Sequence, residues 1–337
     1  MDRELDPRIS FLRTANYRRQ SNVQKFLSWI FASIHLLFLL IFRYRKYYVL
    51  YYTNPPLSYL CSLIVKNPFS IVVFDVYPEA LKTAGISESS WVFKKWSKWN
   101  KKLFSRADQV TTLSQGMKKL VVADAPNAQV EVISPWPGSD LFQPIPKEDN
   151  AFRQEHAIGE KFVLLYSGNL GATHQVEKIA ELARVCRDNE QIQFVVIGEG
   201  VKKKLISDFQ KKYKLDNLLV LGFQDAAMLP HSLSAGDLGI ITLEKDAASL
   251  SVPSKTFNLL AVGAPLLCLC SGESELARLV EQYNNGAIFD PENLEETAKF
   301  IKVLAQDKER VKQFSLRSLE AAKAFHFSKA KQYFTNV

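Results

Sequence analysis

The strongest constraint on this chain is the regular recurrence of short apolar runs, each followed by a stretch of helical periodicity. Four runs fall in the first half: Tyr47–Thr53, Ser70–Val76, Gln109–Leu113 and Val130–Ile133. Six fall in the second: Phe162–Ser167, Ile192–Ile197, Leu218–Leu221, Leu238–Leu243, Leu266–Leu269 and Ala287–Phe289. Several are apolar at nearly every position. A strand with one wet face alternates; a run without alternation needs cover on both faces, which parallel sheets flanked by helices provide. The strand–helix alternation therefore predicts an α/β protein of doubly wound sheets. The C-terminal part is helical, over Leu294–Gln306 and Arg310–Phe325.

A length of 337 residues suits two domains. Proline and polar residues cluster between Pro135 and Asn150, which marks the linker. The expected division is residues 1–146, residues 147–326, and a tail at 327–337 that packs back on the first domain. The second half has six strands and looks complete. The first has four, and the first glycine of the chain is Gly85. A doubly wound domain normally opens with a strand and a glycine-rich turn. The expectation is thus a first domain that is reduced or truncated, with an overlooked strand as the alternative.

Hydrophobic residues make up 47% and charged residues 23%, enough for a core in each half and ordinary for a globular protein. The four cysteines, Cys61, Cys186, Cys268 and Cys270, complete no metal set and read as reduced, buried, cytosolic thiols. The net charge of +8 suits a phosphorylated ligand, anionic lipid or nucleic acid, or is simply a basic pI without consequence. The basic residues accompany no nucleic-acid reader motif, which disfavours that partner. The charged first 22 residues are not a secretory signal. Phe26–Phe42 then runs 17 residues without a charge, at the short end of a bilayer span. A buried or membrane-surface helix is the first reading and a true span the second. Residues 91–104, W-V-F-K-K-W-S-K-W-N-K-K-L-F, place Lys94, Lys95, Lys98, Lys101 and Lys102 on one helical arc, with Trp96, Trp99 and Leu103 beside it. Either this helix lies at a membrane interface, or its tryptophans face the core and its lysines face water.

Three stretches carry chemistry. Y-S-G-N-L-G, Tyr166–Gly171, follows an apolar run and precedes a helical one. Bare backbone there exposes N–H groups that suit a phosphate, although a plain strand-to-helix turn has the same composition. His174, at the start of the expected helix, is either a donor to phosphate or sugar hydroxyls or an ordinary first-turn residue. In S-V-P-S-K-T-F-N, Ser251 or Ser254 is positioned to cap a helix whose first turn holds Lys255. A cation there opposes the helix dipole unless an anion binds, and Asn258 lies one turn on. The bland reading of Lys255 is a surface lysine. Third, Ser271–Glu275, S-G-E-S-E, suits sugar hydroxyls or helix capping better than phosphate. Gly198-Glu199-Gly200 and Gly222-Phe223 end strands, where α/β sheets bind ligands.

Taken in order, Y-S-G-N-L-G…H-Q-V-E, F-V-V-I-G-E-G, V-L-G-F, A-G-D-L-G, V-P-S-K-T-F-N-L-L-A-V-G-A-P-L-L and S-G-E-S-E-L-A resemble the C-terminal domain of group 4 glycosyltransferases, in the branch that builds bacterial surface polysaccharides. T-N-P-P (Thr53–Pro56), F-D-V-Y-P-E (Phe74–Glu79) and S-R-A-D…L-S (Ser105–Ser114) extend the resemblance into the first half. It implies the GT-B fold, two Rossmann-like domains with the active site between them. It also implies a metal-independent, retaining transfer of a hexosyl group from a nucleotide diphosphate sugar, with a UDP-sugar as the expected donor and no cofactor. The acceptor would be lipid-linked or a saccharide, and the site of action the cytoplasmic face of the plasma membrane. By position, Gly168, Asn169 and Gly171 would meet the diphosphate, Ser254 would help to bind the donor, Lys255 would neutralise the leaving phosphate, and Lys255, His174 and Asp75 are the expected catalytic residues. Asn258 would reach the ribose, and Glu199, Gly200 and Phe223 would border the base. Gly272, Glu273 and Ser274 would bind the transferred sugar, and Asp75 would stand on the acceptor side.

The chain departs from that pattern in places. Of two glutamates that many members keep eight residues apart, the second position is Asn258 and the first is Leu250. No Arg or Lys lies between Tyr166 and Glu177, which leaves Lys255 as the evident cation. The alternative to an enzyme is a non-catalytic remnant that binds a nucleotide sugar or a partner.

Overall fold

The computed structural model describes residues 10–12, 22–138, 142–171, 174–244 and 252–334. Ser251 and Leu250 lie outside the described residues. Contacts divide the chain into two compact units. One takes the residues up to Leu113, Met117–Val132 and Phe334; the other takes Ser114–Gly116 and Ile133–Tyr333. The division at Val132/Ile133 comes ahead of the proline-rich stretch in which the sequence places the linker. Asn150, at the end of that stretch, caps helix α4 (Ala151–Glu155) and donates to the His231 carbonyl at 2.9 Å, within the second unit.

The first unit contains α1 (Asn22–Phe42), β1 (Val49–Tyr52), β2 (Phe69–Val73), α2 (Trp91–Phe104), β3 (Val110–Thr112), α3 (Gln115–Asp124) and β4 (Val130–Val132). Its four strands are parallel and follow one another in sequence order. Each is shorter than its apolar run, because pairing stops where the partner strand stops. Thr53, expected in β1, instead receives the N–H groups of Phe74 and Asp75 on its hydroxyl, at 3.0 and 3.1 Å, and shapes the turn after β2.

Two helices of this unit were open in the sequence. In α2, Phe93, Trp96, Asn100 and Leu103 are buried and all five lysines are exposed. Trp96 donates to the Tyr59 hydroxyl at 2.7 Å, and that hydroxyl donates to Asn100 at 2.8 Å. Trp96 and Leu103 thus face the unit's own core, as the core-facing reading expects, while Trp99 is half-buried and Trp91 at the helix start is 74% exposed. Helix α1 begins four residues before its apolar run, and burial, part of the first reading of Phe26–Phe42, is not what it shows. Only 6% of its most apolar window is buried, and Phe26, Phe31, Ile34, Phe38 and Phe42 are exposed. By length and composition this helix is sufficient to cross a membrane.

The second unit continues after α4 with β5 (Phe162–Ser167), α5 (Glu177–Val185), β6 (Ile192–Ile197), α6 (Lys203–Tyr213), β7 (Leu218–Leu221), α7 (Leu229–Ser234) and β8 (Leu238–Thr242). It ends with α8 (Lys255–Ala261), β9 (Leu266–Leu269), α9 (Glu275–Tyr283), β10 (Gly286–Phe289), α10 (Leu294–Leu304) and α11 (Lys308–Lys323). The six parallel strands are ordered β10-β9-β8-β5-β6-β7. Side chains alternate across the sheet: Leu164, Phe194 and Leu267 pack with Ile179 and Ile301 on one face, and Val163, Val195 and Leu266 with Leu260 and Leu276 on the other. Two full cores explain why these strands show no polar alternation. All four cysteines are buried and free.

Candidate functional site

The strand order reverses between β5 and β8, and open α/β sheets take ligands at the carboxyl ends of strands beside such a reversal. Beyond β5 lies the glycine loop, Gly168–Gly171. It rests on the loop after β6: Gly168 N–H donates to the Ile197 carbonyl at 2.9 Å, Leu170 N–H to Glu199 at 2.9 Å, and Lys202 N–H to Leu170 at 3.0 Å. Backbone meets backbone only because side chains are missing. A Cβ on Gly198, whose φ is +156°, would sit 1.9 Å from the Gly168 carbonyl oxygen. One on Gly200 would sit 2.4 Å from that of Leu170.

Lys255, at the start of α8, lies directly over this loop. Its Nζ donates to the Tyr166 hydroxyl at 2.7 Å and stands 3.9 Å from the centre of the Tyr166 ring. Its Cε and Nζ are each 3.1 Å from where a Cβ on Gly168 would be. The Tyr166 hydroxyl donates to the Asn169 carbonyl at 2.8 Å. Burial pushes the Lys255 ammonium down to about 7. An anion placed here would recover the full charge, since an opposite charge favours the ionised form.

His174 does not begin a helix; α5 starts three residues later, at Glu177. The N–H groups of the glycine loop are therefore not those of a helix end. The His174 imidazole nevertheless keeps features that suit a ligand. Burial first, then the charges of Lys255 and Lys202, push it down to about 4, so it is neutral. Among the described residues its buried Nδ1 has no hydrogen-bond partner, a state native proteins rarely leave without a use. Lys202, absent from the sequence reading, is a second cation. Its Nζ donates to the His174 carbonyl at 2.7 Å and pairs with Glu177 at 2.9 Å. Nothing in its local sequence marks it; the approach of the two loops brings it there.

The structure thus brings Gly168, Asn169, Gly171, Gly200, Lys255 and His174 together, with the Asn169 amide lying between the positions a Cβ would take on Gly171 and Gly200. The other expected residues are engaged differently. Ser254 has helical backbone angles and its hydroxyl makes no capping bond among the described residues, while Ser251, the other candidate cap, lies outside them. The side-chain amide oxygen of Asn258, Oδ1, accepts the Gly138 N–H at 2.9 Å. Glu199 pairs with Lys203 at 2.6 Å, and Phe223 is 64% exposed. Gly272 has open space around it, and Glu273 is exposed. Ser274 is fully buried and caps α9 by accepting the Ala277 N–H at 3.0 Å. Asp75 belongs to the first unit; burial raises its carboxyl, partly offset by Lys25. Among the described residues, no group of His, Cys, Asp and Glu side chains is placed to hold a metal ion.

A glycine loop at a strand-order reversal, with a lysine suspended over it, is an arrangement that suits an anion in a Rossmann-like unit. Residues 148–319, about half of the chain, match the family model described as glycosyl transferases group 1. The chain belongs to this family. It is 26% identical over 244 residues to the Pseudomonas aeruginosa protein named glycosyltransferase WbjE, covering 69% of this chain and 60% of that one. It is 29% identical over 192 residues to the Escherichia coli protein named colanic acid biosynthesis glycosyl transferase WcaI, covering 56% and 47%. The chain therefore spans only about half to three fifths of these curated relatives. Anabaena HepE, crystallised with UDP, superposes with a TM-score of 0.69 at 18% identity, covering 84% of this chain and 76% of that one. This likeness establishes the GT-B fold expected from the motifs.

Proposed function

We propose that this chain is a retaining, metal-independent glycosyltransferase that moves a hexosyl group from a UDP-sugar to a lipid-linked or saccharide acceptor in surface polysaccharide synthesis. The observation that carries the reading is Lys255 held over Gly168 beside the unpartnered, neutral His174. Breaking the bond from the sugar's anomeric carbon to the diphosphate leaves negative charge on a phosphate oxygen. An ammonium fixed beforehand at that spot, in a partly desolvated loop, lowers the barrier most where charge develops. Loop N–H groups not used between the two loops and the free imidazole nitrogen supply further hydrogen bonds. The crystallisation of HepE with UDP and with UDP-glucose supports a UDP-sugar donor. The name of WcaI supports a polysaccharide product.

The membrane setting follows from α1, whose apolar side chains lie open to solvent, with exposed Arg43, Arg45 and Lys46 immediately after it. Such a surface suits the inner face of the plasma membrane, where the leaflet is anionic. Division into the domains 1–146 and 147–326 with a returning tail at 327–337 remains part of this proposal.

A second reading is a protein that binds a nucleotide sugar or a partner without catalysis. Its support is the first unit, with four strands against six among the described residues. A panel of nucleotide sugars, tested for binding and then for transfer, separates the two. Transfer supports the enzyme, and binding without transfer supports the second reading. Absence of binding at millimolar ligand overturns both as donor-site readings. Lys255→Ala should weaken UDP-sugar binding by at least about 1 kcal/mol, through loss of a charge-assisted hydrogen bond.

A further inference from the structure

We propose that Tyr166 is a positioning residue for Lys255: its phenol oxygen and ring face hold the lysine side chain over Gly168 and favour its charged form before any anion arrives. The assignment rests on the reading of the glycine loop as the donor diphosphate site. Tyr166 itself was no part of the expected site, because inside an apolar strand a tyrosine reads as core.

The direction of the hydrogen bonds carries the argument. The single hydroxyl proton of Tyr166 is given to the Asn169 carbonyl at 2.8 Å. Only lone pairs of the phenol oxygen remain to face Lys255, 2.7 Å away. Lysine must therefore be the donor, a role that an ammonium fills more strongly than a neutral amine. The ring face, 3.9 Å from Nζ, also attracts a positive charge. One side chain thus acts twice, fixing the carbonyl of the glycine loop and placing the cation above it. Tyr166 is fully buried, which leaves its ring little freedom. The other groups facing this ammonium would not hold it there. His174 is a neutral ring with Lys202 behind it, and Lys202 is itself occupied by Glu177. Among the described residues, no carboxylate bonds to Lys255. Without Tyr166, burial would push the lysine further toward its neutral form and leave it free to swing away.

The test uses UDP binding by calorimetry to the full chain, its Tyr166→Phe and Lys255→Met variants and the double variant, at about pH 6 and about pH 8.5. Tyr166→Phe should weaken binding about fivefold at the higher pH and clearly less at the lower, where the lysine is charged without help. Lys255→Met should weaken it about tenfold, and the double variant no more than Lys255→Met alone. If Tyr166→Phe costs the same in both backgrounds, or the same at both pH values, the tyrosine is merely structural and the proposal fails. A second measurement needs no ligand. In isotope-labelled protein, the lysine resonance that Lys255→Met removes should titrate about one unit lower in Tyr166→Phe, a tenfold loss of proton affinity. An unmoved midpoint overturns the proposal. If UDP binds to none of the four proteins, the donor-site reading falls, and this titration still decides whether Tyr166 holds Lys255.

Discussion

Replacing Gly198 by alanine should do more damage than any other single methyl group added near the site. The new Cβ would lie 1.9 Å from the Gly168 carbonyl oxygen. An ordinary carbon–oxygen contact needs about 3.3 Å, so the two loops must part by more than an ångström. Parting them breaks two backbone hydrogen bonds, Gly168 to Ile197 and Leu170 to Glu199, each 2.9 Å long. Each contributes about 1 kcal/mol net. The backbone at Gly198, with φ at +156°, adds the strain of a conformation that L side chains avoid, about 1–3 kcal/mol. Together these destabilise the second unit by about 3–5 kcal/mol. Urea unfolding followed by far-ultraviolet circular dichroism measures this, with UDP binding at low urea as the companion readout. Gly272→Ala is the control: nothing lies within 4 Å of its would-be Cβ, and its cost should stay within about 0.5 kcal/mol. A Gly198→Ala protein within about 1 kcal/mol of the parent would refute the interlocked-loop reasoning.

Three further outcomes are expected. His174, pushed from 6.5 to about 4, binds a proton less readily in the folded chain than in the unfolded one. Its neutral form therefore supports stability fully above its unfolded value, and this support is lost as the pH falls toward 4. His174→Gln should flatten the acid limb of the urea midpoint against pH, and an unchanged limb would count against the buried neutral imidazole. Ser274→Ala removes the cap of α9 and should cost about 1 kcal/mol in thermal or urea unfolding; no loss would mean that the bond to Ala277 contributes nothing. Phe31→Asp with Phe38→Asp on α1 should reduce co-sedimentation with anionic vesicles, and equal sedimentation would argue against a membrane role for that helix.

Much of the second unit was legible because its strands are short, wholly apolar and bounded by turn residues. The ends of β5, β6, β7 and β9 coincide with their apolar runs. In the first unit, Tyr47 and Tyr48 have strand-favouring side chains but no ladder partner in register, and Thr53 keeps one backbone bond to Val72 while its hydroxyl turns to the loop after β2, so propensity overran pairing. Periodicity sorted the faces of α2 correctly without saying which face the protein covers. The answer, Trp96 on the Tyr59 hydroxyl, joins residues 37 positions apart. For α1, an uncharged run looks the same whether buried or bare. At the site, Gly168 and Lys255 could be read because motif and chemistry agree. Lys202 could not, since its place depends on a contact with the carbonyl of His174 across 28 residues. Ser274 shows the opposite hazard: serine before a helix is a cap by default, and here the hydroxyl serves as one whatever else the loop binds.

The reversal of strand order at β5 and β8 has a further consequence. Tyr166 and Lys255 are 89 residues apart. Between them the chain builds β6 and β7 outward on one side of β5 before β8 closes the other edge. A fragment ending at β7 would carry every glycine of the loop and no lysine to sit over it. The proposed nucleotide site is therefore a property of the assembled sheet rather than of a local motif. A ligand present at a hundred times its dissociation constant would add about 2.7 kcal/mol to the folded state. The donor would thus act as a latch on the whole β5–β8 seam, and its occupancy would report that the unit has closed.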